Sequence, residues 1–457
     1  MSRLIVISNR VAIPHEKRAG GMAVALQAAL CERGGVWFGW SGKQAQHTAA
    51  EVHHEQHDNV TYATIDLSRR DYNNYYKGFA NRSLWPLFHY RPDLTDYQRS
   101  DYEGYIRVNK LFAEHLTSLI QPDDILWIHD YHLIPLASLL REHGIGNHIG
   151  FFLHTPLAPA ELLITLPHHR QLFGALSACD LVGLQTTQDL HSLREYFEHE
   201  AGATLEKNNV IALPDGRRFH AASFPISIDT ATAADVAREA VGSEASQRLR
   251  QSLNERALMI GVDRLDYSKG LPERFDAFAH FLQQTETWRK RVCLLQVAPP
   301  SRSDVPEYRQ IRRELERRTG HINGSLASPD WVPIRYVNQT IPYSVLAGYY
   351  RMARVGLVTP LRDGMNLVAK EYVACQDPDD PGVLVLSRFA GAAEELDAAL
   401  LVNPHDEDSM AEALLRALDM PLDERRRRWR AMMDVLETND IAHWQHNFLS
   451  QLDACGN

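Results

Sequence analysis

Short apolar runs alternate with longer amphipathic stretches along this chain, and they do so in two sets. Residues 4–8, 125–129, 149–153 and 181–184 make the first set of runs; 258–262, 292–297, 355–358 and 383–386 make the second. Runs this short, apolar throughout, read as strands buried on both faces of a parallel sheet. Parallel strands need crossovers. Helical patterns stand where crossovers are required, at 21–32, 104–119, 133–142, 189–200, 271–283, 304–318 and 410–418. The fold class is therefore α/β, with doubly wound sheets. Two sets predict two domains, 1–227 and 228–439, divided where a stretch rich in Ala, Ser, Thr, Glu and Arg follows Ser223-Phe224-Pro225-Ile226. A last helix, 440–452, is capped by Asn439 or Asp440. It belongs either to the second domain or, with the rest of 440–457, packs back on the first.

The length of 457 residues supplies two cores of ordinary size. A net charge of −10 disfavours a general nucleic-acid partner but allows a local basic cleft. The five cysteines are scattered and none stands in a C-x-x-C pair, so a reducing, cytoplasmic compartment is expected rather than a disulfide framework. The apolar run after Arg3 stops at Ser8, too short for a signal segment, and no stretch approaches the ~18 apolar residues of a membrane span. No membrane partner is expected. Asp377-Pro378-Asp379-Asp380 contains D-x-D, but in a proline turn it reads as turn chemistry. The run Arg425-Arg426-Arg427-Arg428 reads as a solvated helix face.

Polar residues gather where strands should end, the edge at which open α/β sheets bind ligands. Asn9-Arg10 follow the first run, and Gly20-Gly21 open the next helix, where backbone amides can approach a phosphate. This is not G-x-G-x-x-G, so a nicotinamide cofactor is poorly supported. Trp127-Ile128-His129-Asp130-Tyr131-His132 runs from strand into polar residues; Asp130 can accept from sugar hydroxyls or act as a base. His129 and His132 lack a third ligand at a suggestive spacing, so no metal is expected. Phe152-Leu153-His154 ends the same way, although His154 alone reads as a hydrogen-bonded structural histidine.

In the second half, Arg264 and Lys269 flank a turn that opens a helix at Gly270, a suitable clamp for a diphosphate. Ion pairs with Asp263 or Asp266 are the simpler alternative. After residues 355–358, Asp363-Gly364-Met365-Asn366 leads into a helix whose first amides can hold an anion. Glu371, further along, suits a ribose diol. Trp37, Trp40, Tyr75, Tyr76 and Trp85 offer flat faces to a sugar or, as for most tryptophans, to the core.

Together these clusters resemble the trehalose-6-phosphate synthase family, retaining glucosyltransferases of the GT-B architecture. The resemblance runs from Ser8-Asn9-Arg10 to Asn439-Asp440-Ile441. It includes Trp37-Phe38-Gly39-Trp40-Ser41-Gly42, residues 127–132 and 264–270, Ala298-Pro299-Pro300-Ser301-Arg302, and residues 362–371. It implies two Rossmann-like domains facing across a cleft. Arg10, Tyr76 and Arg302 match residues that grip the phosphate of glucose 6-phosphate. Asp130 matches one that binds its hydroxyls, and Trp85 a ring lining its pocket. On the donor side, Arg264 and Lys269 match the diphosphate clamp, and Gly20 and Gly21 a backbone contact. Asp363, with Met365, Asn366, Leu367, Val368, Ala369 and Lys370, matches the contacts to donor glucose and phosphate. Glu371 matches the ribose ligand, and His154 a residue beside the transferred glucose. Ile341 falls near the nucleobase, where relatives often carry an aromatic or histidine.

The implied reaction moves glucose from UDP-glucose, or another NDP-glucose, to glucose 6-phosphate with retention. It gives trehalose 6-phosphate and NDP, with no cofactor and no metal. Arg264, Lys269, His154 and Asp130 are the candidate catalytic residues. Alternatives are a glucosylglycerol-phosphate or pseudo-sugar transferase, and a non-catalytic sugar-phosphate sensor. The resemblance is compatible with a homodimer or a homotetramer.

Overall fold

The computed structural model describes residues 2–13, 21–47, 51–301 and 306–455. The chain divides into two compact units, Met1–Pro225 with Ala442–Asn457, and Ile226–Ile441. The sequence places the division at 227; the structure places it at Pro225.

The first unit is built on a ten-stranded sheet. Its strands are β1 (Leu4–Arg10), β2 (Gly35–Ala45), β3 (His53–His57), β4 (Val60–Ser68), β5 (Ile125–His129), β6 (Ile149–Phe152), β7 (Leu181–Leu184), β8 (Thr204–Leu205), β9 (Val210–Ala212) and β10 (Arg218–Ser223). They lie in the order β3-β4-β2-β1-β5-β6-β7-β10-β9-β8. The seven strands from β4 to β10 are parallel; β3 and β9 pair antiparallel at the two flanks. The hydrophobic effect explains the central strands: Leu4 to Ile7 and Leu126 to Ile128 are wholly buried. The strand order reverses at β1, whose neighbours are β2 on one side and β5 on the other. Open α/β sheets take ligands at the carboxyl ends of the strands flanking such a reversal, here β1 and β5.

The helix Ile441–Ala454 places Ala442 onward in this first unit. The Phe448 ring stacks on Trp127 (centroids 4.9 Å, planes 15° apart), and Trp444 lies 5.1 Å from the Trp127 and Phe152 rings. Gly150 and Gly183 make room for it: a Cβ on either would sit within 2.7 Å of Phe448 atoms.

The second unit holds a six-stranded parallel sheet: β11 (Ala257–Val262), β12 (Val292–Val297), β13 (Ile334–Val337), β14 (Val355–Val358), β15 (Val383–Ser387) and β16 (Leu400–Val402). The order is β13-β12-β11-β14-β15-β16, the dinucleotide-fold sequence 3-2-1-4-5-6, with its reversal between β11 and β14. Helices Leu271–Gln284 and Glu407–Asp419 bury Phe275, Phe278 and Leu414 in a common core with Leu294, Leu357 and Val385. Arg425 departs from its expected solvated face. On helix Leu422–Thr438 it is buried and donates to Asp380 Oδ1 (2.6 Å), while Arg426 donates to the Asp379 carbonyl, so both hold the Asp377–Asp380 turn. Among the described residues no helix is long and apolar enough to cross a membrane.

Candidate active site

In the first unit, β1 runs buried as far as Ser8 and then surfaces, leaving Asn9 half-buried and Arg10 exposed. Ser8 is pinned from two sides: its hydroxyl accepts from Trp37 Nε1 and donates to the Arg10 carbonyl, both at 2.8 Å. Trp37 is thus a core residue of β2. The Arg10 guanidinium lies against Gly42, where a Cβ would come within 2.8 Å of Nε and Cζ, so a side chain there would displace the guanidinium. Tyr75 and Tyr76 come from a π-helical run, Tyr72–Leu84, of a kind associated with functional sites. Tyr75 is buried and donates to Asn9 Oδ1 (2.9 Å); Tyr76 stacks between His132 (5.8 Å, 11°) and Tyr72 (5.4 Å, 21°). Trp85 is buried, 5.8 Å from the Tyr131 ring.

At the end of β5 the chain turns sharply. Asp130 takes φ 77° and ψ 165°, a region that side-chain-bearing residues rarely enter. Its amide donates to the Phe152 carbonyl (2.8 Å), and its Oδ1 accepts from the His154 amide (3.2 Å), tying the ends of β5 and β6 together. His132 Nδ1 lies 3.9 Å from the other carboxylate oxygen. The His154 ring follows β6, and its Nε2 meets His129 Nδ1 at 3.1 Å. Burial holds both imidazoles neutral, His129 well below the ordinary histidine range and His154 at about 3. Arg10, Tyr76, Asp130 and His154 therefore share the carboxyl edge of one sheet. Gly21 opens the helix Gly21–Arg33, whereas Gly20 and Arg302 lie outside the described residues.

In the second unit the turns after β11 and β14 meet at the reversal of strand order. Lys269 forms an ion pair with Asp363, and Asn366 Nδ2 donates to the same Asp363 oxygen (2.9 Å). Arg264 lies 3.8 Å from the buried Asp266, the pairing that the simpler reading of this turn anticipates. The Leu361 amide donates to the Ser268 carbonyl (2.8 Å), joining the two turns. Gly270 takes φ 63°, and a Cβ there would strike the Thr359 carbonyl at 2.3 Å. Beneath both turns lies a group the sequence did not signal. Fully buried Arg274 donates to Asp263 (2.6 Å), Gln296 (2.8 Å) and Thr359 Oγ1 (2.9 Å).

The helix Leu367–Ala374 follows β14 with its first amides directed out of the turn. Asn366 caps it in a left-handed conformation (φ 75°), and Met365 is buried, its carbonyl held by the Ala392 amide. Leu367 and Val368 are half-buried at the helix start. The Ala369 amide already donates to the Asn366 carbonyl (3.2 Å). Lys370 turns away from its expected place. Its ammonium is fully buried, 2.8 Å from the Ile226 carbonyl and 2.6 Å from Glu395, so only its backbone remains to face a ligand. Glu371 is half-buried, and burial pushes its carboxyl up to about 7. Ile341 is half-buried just before the helix Tyr343–Met352; the Tyr343 hydroxyl reaches Cys375 Sγ (3.9 Å), one turn beyond Glu371. Among the described residues no group of three His, Cys, Asp or Glu side chains is disposed to hold a metal ion.

Each unit thus carries cations, carboxylates and strained turns at the ligand-binding edge of its sheet, suited to phosphate and sugar hydroxyls. Known proteins resemble the chain along nearly its whole length. A trehalose-6-phosphate synthase of Sinorhizobium fredii is 50% identical over the full length of both chains. An α,α-trehalose-phosphate synthase (UDP-forming) from Burkholderia xenovorans, solved in complex with glucose-6-phosphate, superposes with a TM-score of 0.96. It is 50% identical, over 99% of this chain and 100% of that one. An E. coli structure bound with UDP-2-fluoro glucose gives 0.94 at 45% identity, over 99% of each chain. The model of glycosyltransferase family 20 matches residues 5–454, and the chain belongs to that family.

Proposed function

We infer that the chain transfers glucose from UDP-glucose to glucose 6-phosphate with retention, giving α,α-trehalose 6-phosphate and UDP. The observation that carries this is the 50% identity, over 99% of this chain, to a UDP-forming synthase solved with glucose-6-phosphate. In this reading the strand ends of the first unit take the acceptor. Arg10 and Tyr76 hold its phosphate, with Arg302, while Asp130 accepts from its hydroxyls and Trp85 lines its pocket. Those of the second take the donor: Arg264, Lys269 and the amides of Asn366 to Val368 meet the diphosphate, and Glu371 meets the ribose.

Catalysis requires these groups to favour the departing diphosphate more in the transition state than in the ground state. Lys269 is suited to that, since its pairing with Asp363 fixes the ammonium in place before the charge develops. Attack proceeds on the front face, with a departing phosphate oxygen taking the proton of the incoming hydroxyl; an inverted product would instead require Asp130 or His154 as base. No metal ion enters this reading, because two cations and a helix terminus offset the charge of the leaving group. Five free cysteines, three of them buried, support a reducing, cytoplasmic setting. The test is the product itself. Mass and anomeric couplings should identify an α,α-linked disaccharide monophosphate with UDP-glucose as donor, in the presence of a chelator. A β-linked product, or a requirement for added metal, would contradict the reading.

A further inference from the structure

Two imidazoles that share one hydrogen bond must divide their protons, and the division decides what the outer ring presents. His129 is wholly buried at the end of β5, and its ring faces Trp127 (4.6 Å) and Phe152 (6.4 Å). Its Nδ1 meets His154 Nε2 at 3.1 Å, and its Nε2 is buried with no partner among the described residues. His154 is half-buried, and its Nδ1 has no partner among the described residues. Two arrangements fit. If His154 donated, His129 would carry its proton on Nε2, a donor orphaned in an aromatic cage. If His129 donates, its Nε2 keeps only a lone pair there. Orphaned buried N–H donors are the rarer and costlier defect.

We propose that His129 is a positioning residue that donates from Nδ1 to His154 Nε2, fixing the His154 proton on Nδ1. The outer edge of His154 then offers an N–H donor to a sugar hydroxyl or a developing negative charge, and cannot act as a base there. Two further contacts anchor the backbone that carries the ring: the His154 amide donates to Asp130 Oδ1 (3.2 Å), and Gln185 Nε2 donates to the His154 carbonyl (3.5 Å). The low basicity of both rings, caused by burial, keeps the pair from gaining a second proton near neutral pH. The catalytic consequence rests on the placing of His154 beside the transferred glucose; the proton assignment does not.

Nitrogen NMR of the full chain labelled in histidine, ligand-free and near neutral pH, reads the tautomer directly. His154 signals are assigned by their loss in His154→Asn. The expected pattern is a protonated Nδ1 and an unprotonated Nε2. His129→Leu should convert His154 to a mixture, while His129→Asn, whose Nδ2–H takes the place of Nδ1–H, should preserve the wild-type pattern. In turnover, His129→Leu should lower kcat about tenfold, the worth of one neutral hydrogen bond, with both KM values within about twofold; His129→Asn should recover most of it. A protonated Nε2 on wild-type His154, or an unchanged His154 spectrum in His129→Leu, overturns the proposal. A fully active His154→Asn overturns the placing of His154 at the sugar and leaves the tautomer result standing.

Discussion

At Asp130 the backbone holds φ 77° and ψ 165° because the amide is anchored to Phe152 and the carboxylate to the His154 amide. Such a conformation costs of order 1–3 kcal/mol for any residue with a Cβ. Glycine and alanine at this position both remove the carboxylate, so their difference isolates the backbone. Asp130→Gly should be more stable than Asp130→Ala by ~1–3 kcal/mol in urea unfolding, with both poorly active; equal stabilities would deny the strain. Glu371 stores energy differently. Its folded carboxyl titrates at about 7, above the ordinary value of ~4.3. Between those values the folded state binds more protons than the unfolded one, so its contribution to stability is full at low pH and falls as pH rises through 7. Glu371→Gln should therefore raise the thermal midpoint of the ligand-free protein at about pH 8 and leave it near wild type at about pH 5. If Glu371 meets the ribose as proposed, the same change should raise the donor KM at about pH 8, where the wild-type carboxylate is charged. A midpoint gain of equal size at both pH values would contradict the assignment.

The turns after β11 and β14 act as one element, joined by the Lys269–Asp363 pair, the Leu361–Ser268 backbone bond and the close passage of Gly270 under Thr359. Removing the ammonium takes away a preorganised donor. Lys269→Ala should lower kcat by ~10²–10³, and turnover near wild type would contradict the clamp. Sequence alone made these turns legible, because apolar runs such as Val355–Val358 end abruptly in charged and glycine residues. It did not reveal Arg274 or the burial of Lys370. Both are long polar side chains on helices whose partners lie more than ten residues away, on other elements, and periodicity carries no information about such pairs. β2 and β3 escape the pattern for another reason. β2 mixes tryptophans with glycines (Gly35, Gly39, Gly42), and β3 is an edge strand of His, Glu and Gln, so neither shows the continuous apolar run that marks a central strand.

On the scale of the whole molecule, the chain forms the first unit from both of its ends, Met1–Pro225 and Ala442–Asn457. Apolar packing decides this: Phe448 fills the space left by Gly150 and Gly183, and the sequence could not choose between two homes for an amphipathic helix. Phe448→Ala should cost ~3–5 kcal/mol in denaturant unfolding, and a loss below ~1 kcal/mol would show that the helix contributes little to that core. The alternating runs of apolar residues did disclose an α/β chain with two parallel sheets, since burial on both faces leaves a direct mark on composition. The proposed transfer joins the ligands of the two sheets in one reaction. Its most direct test is UDP release from UDP-glucose by the purified chain, with and without glucose 6-phosphate. Rapid release is expected only when both are present, in step with formation of the disaccharide phosphate. Release that is equally fast without glucose 6-phosphate, or none with it, would rule out transfer to that acceptor.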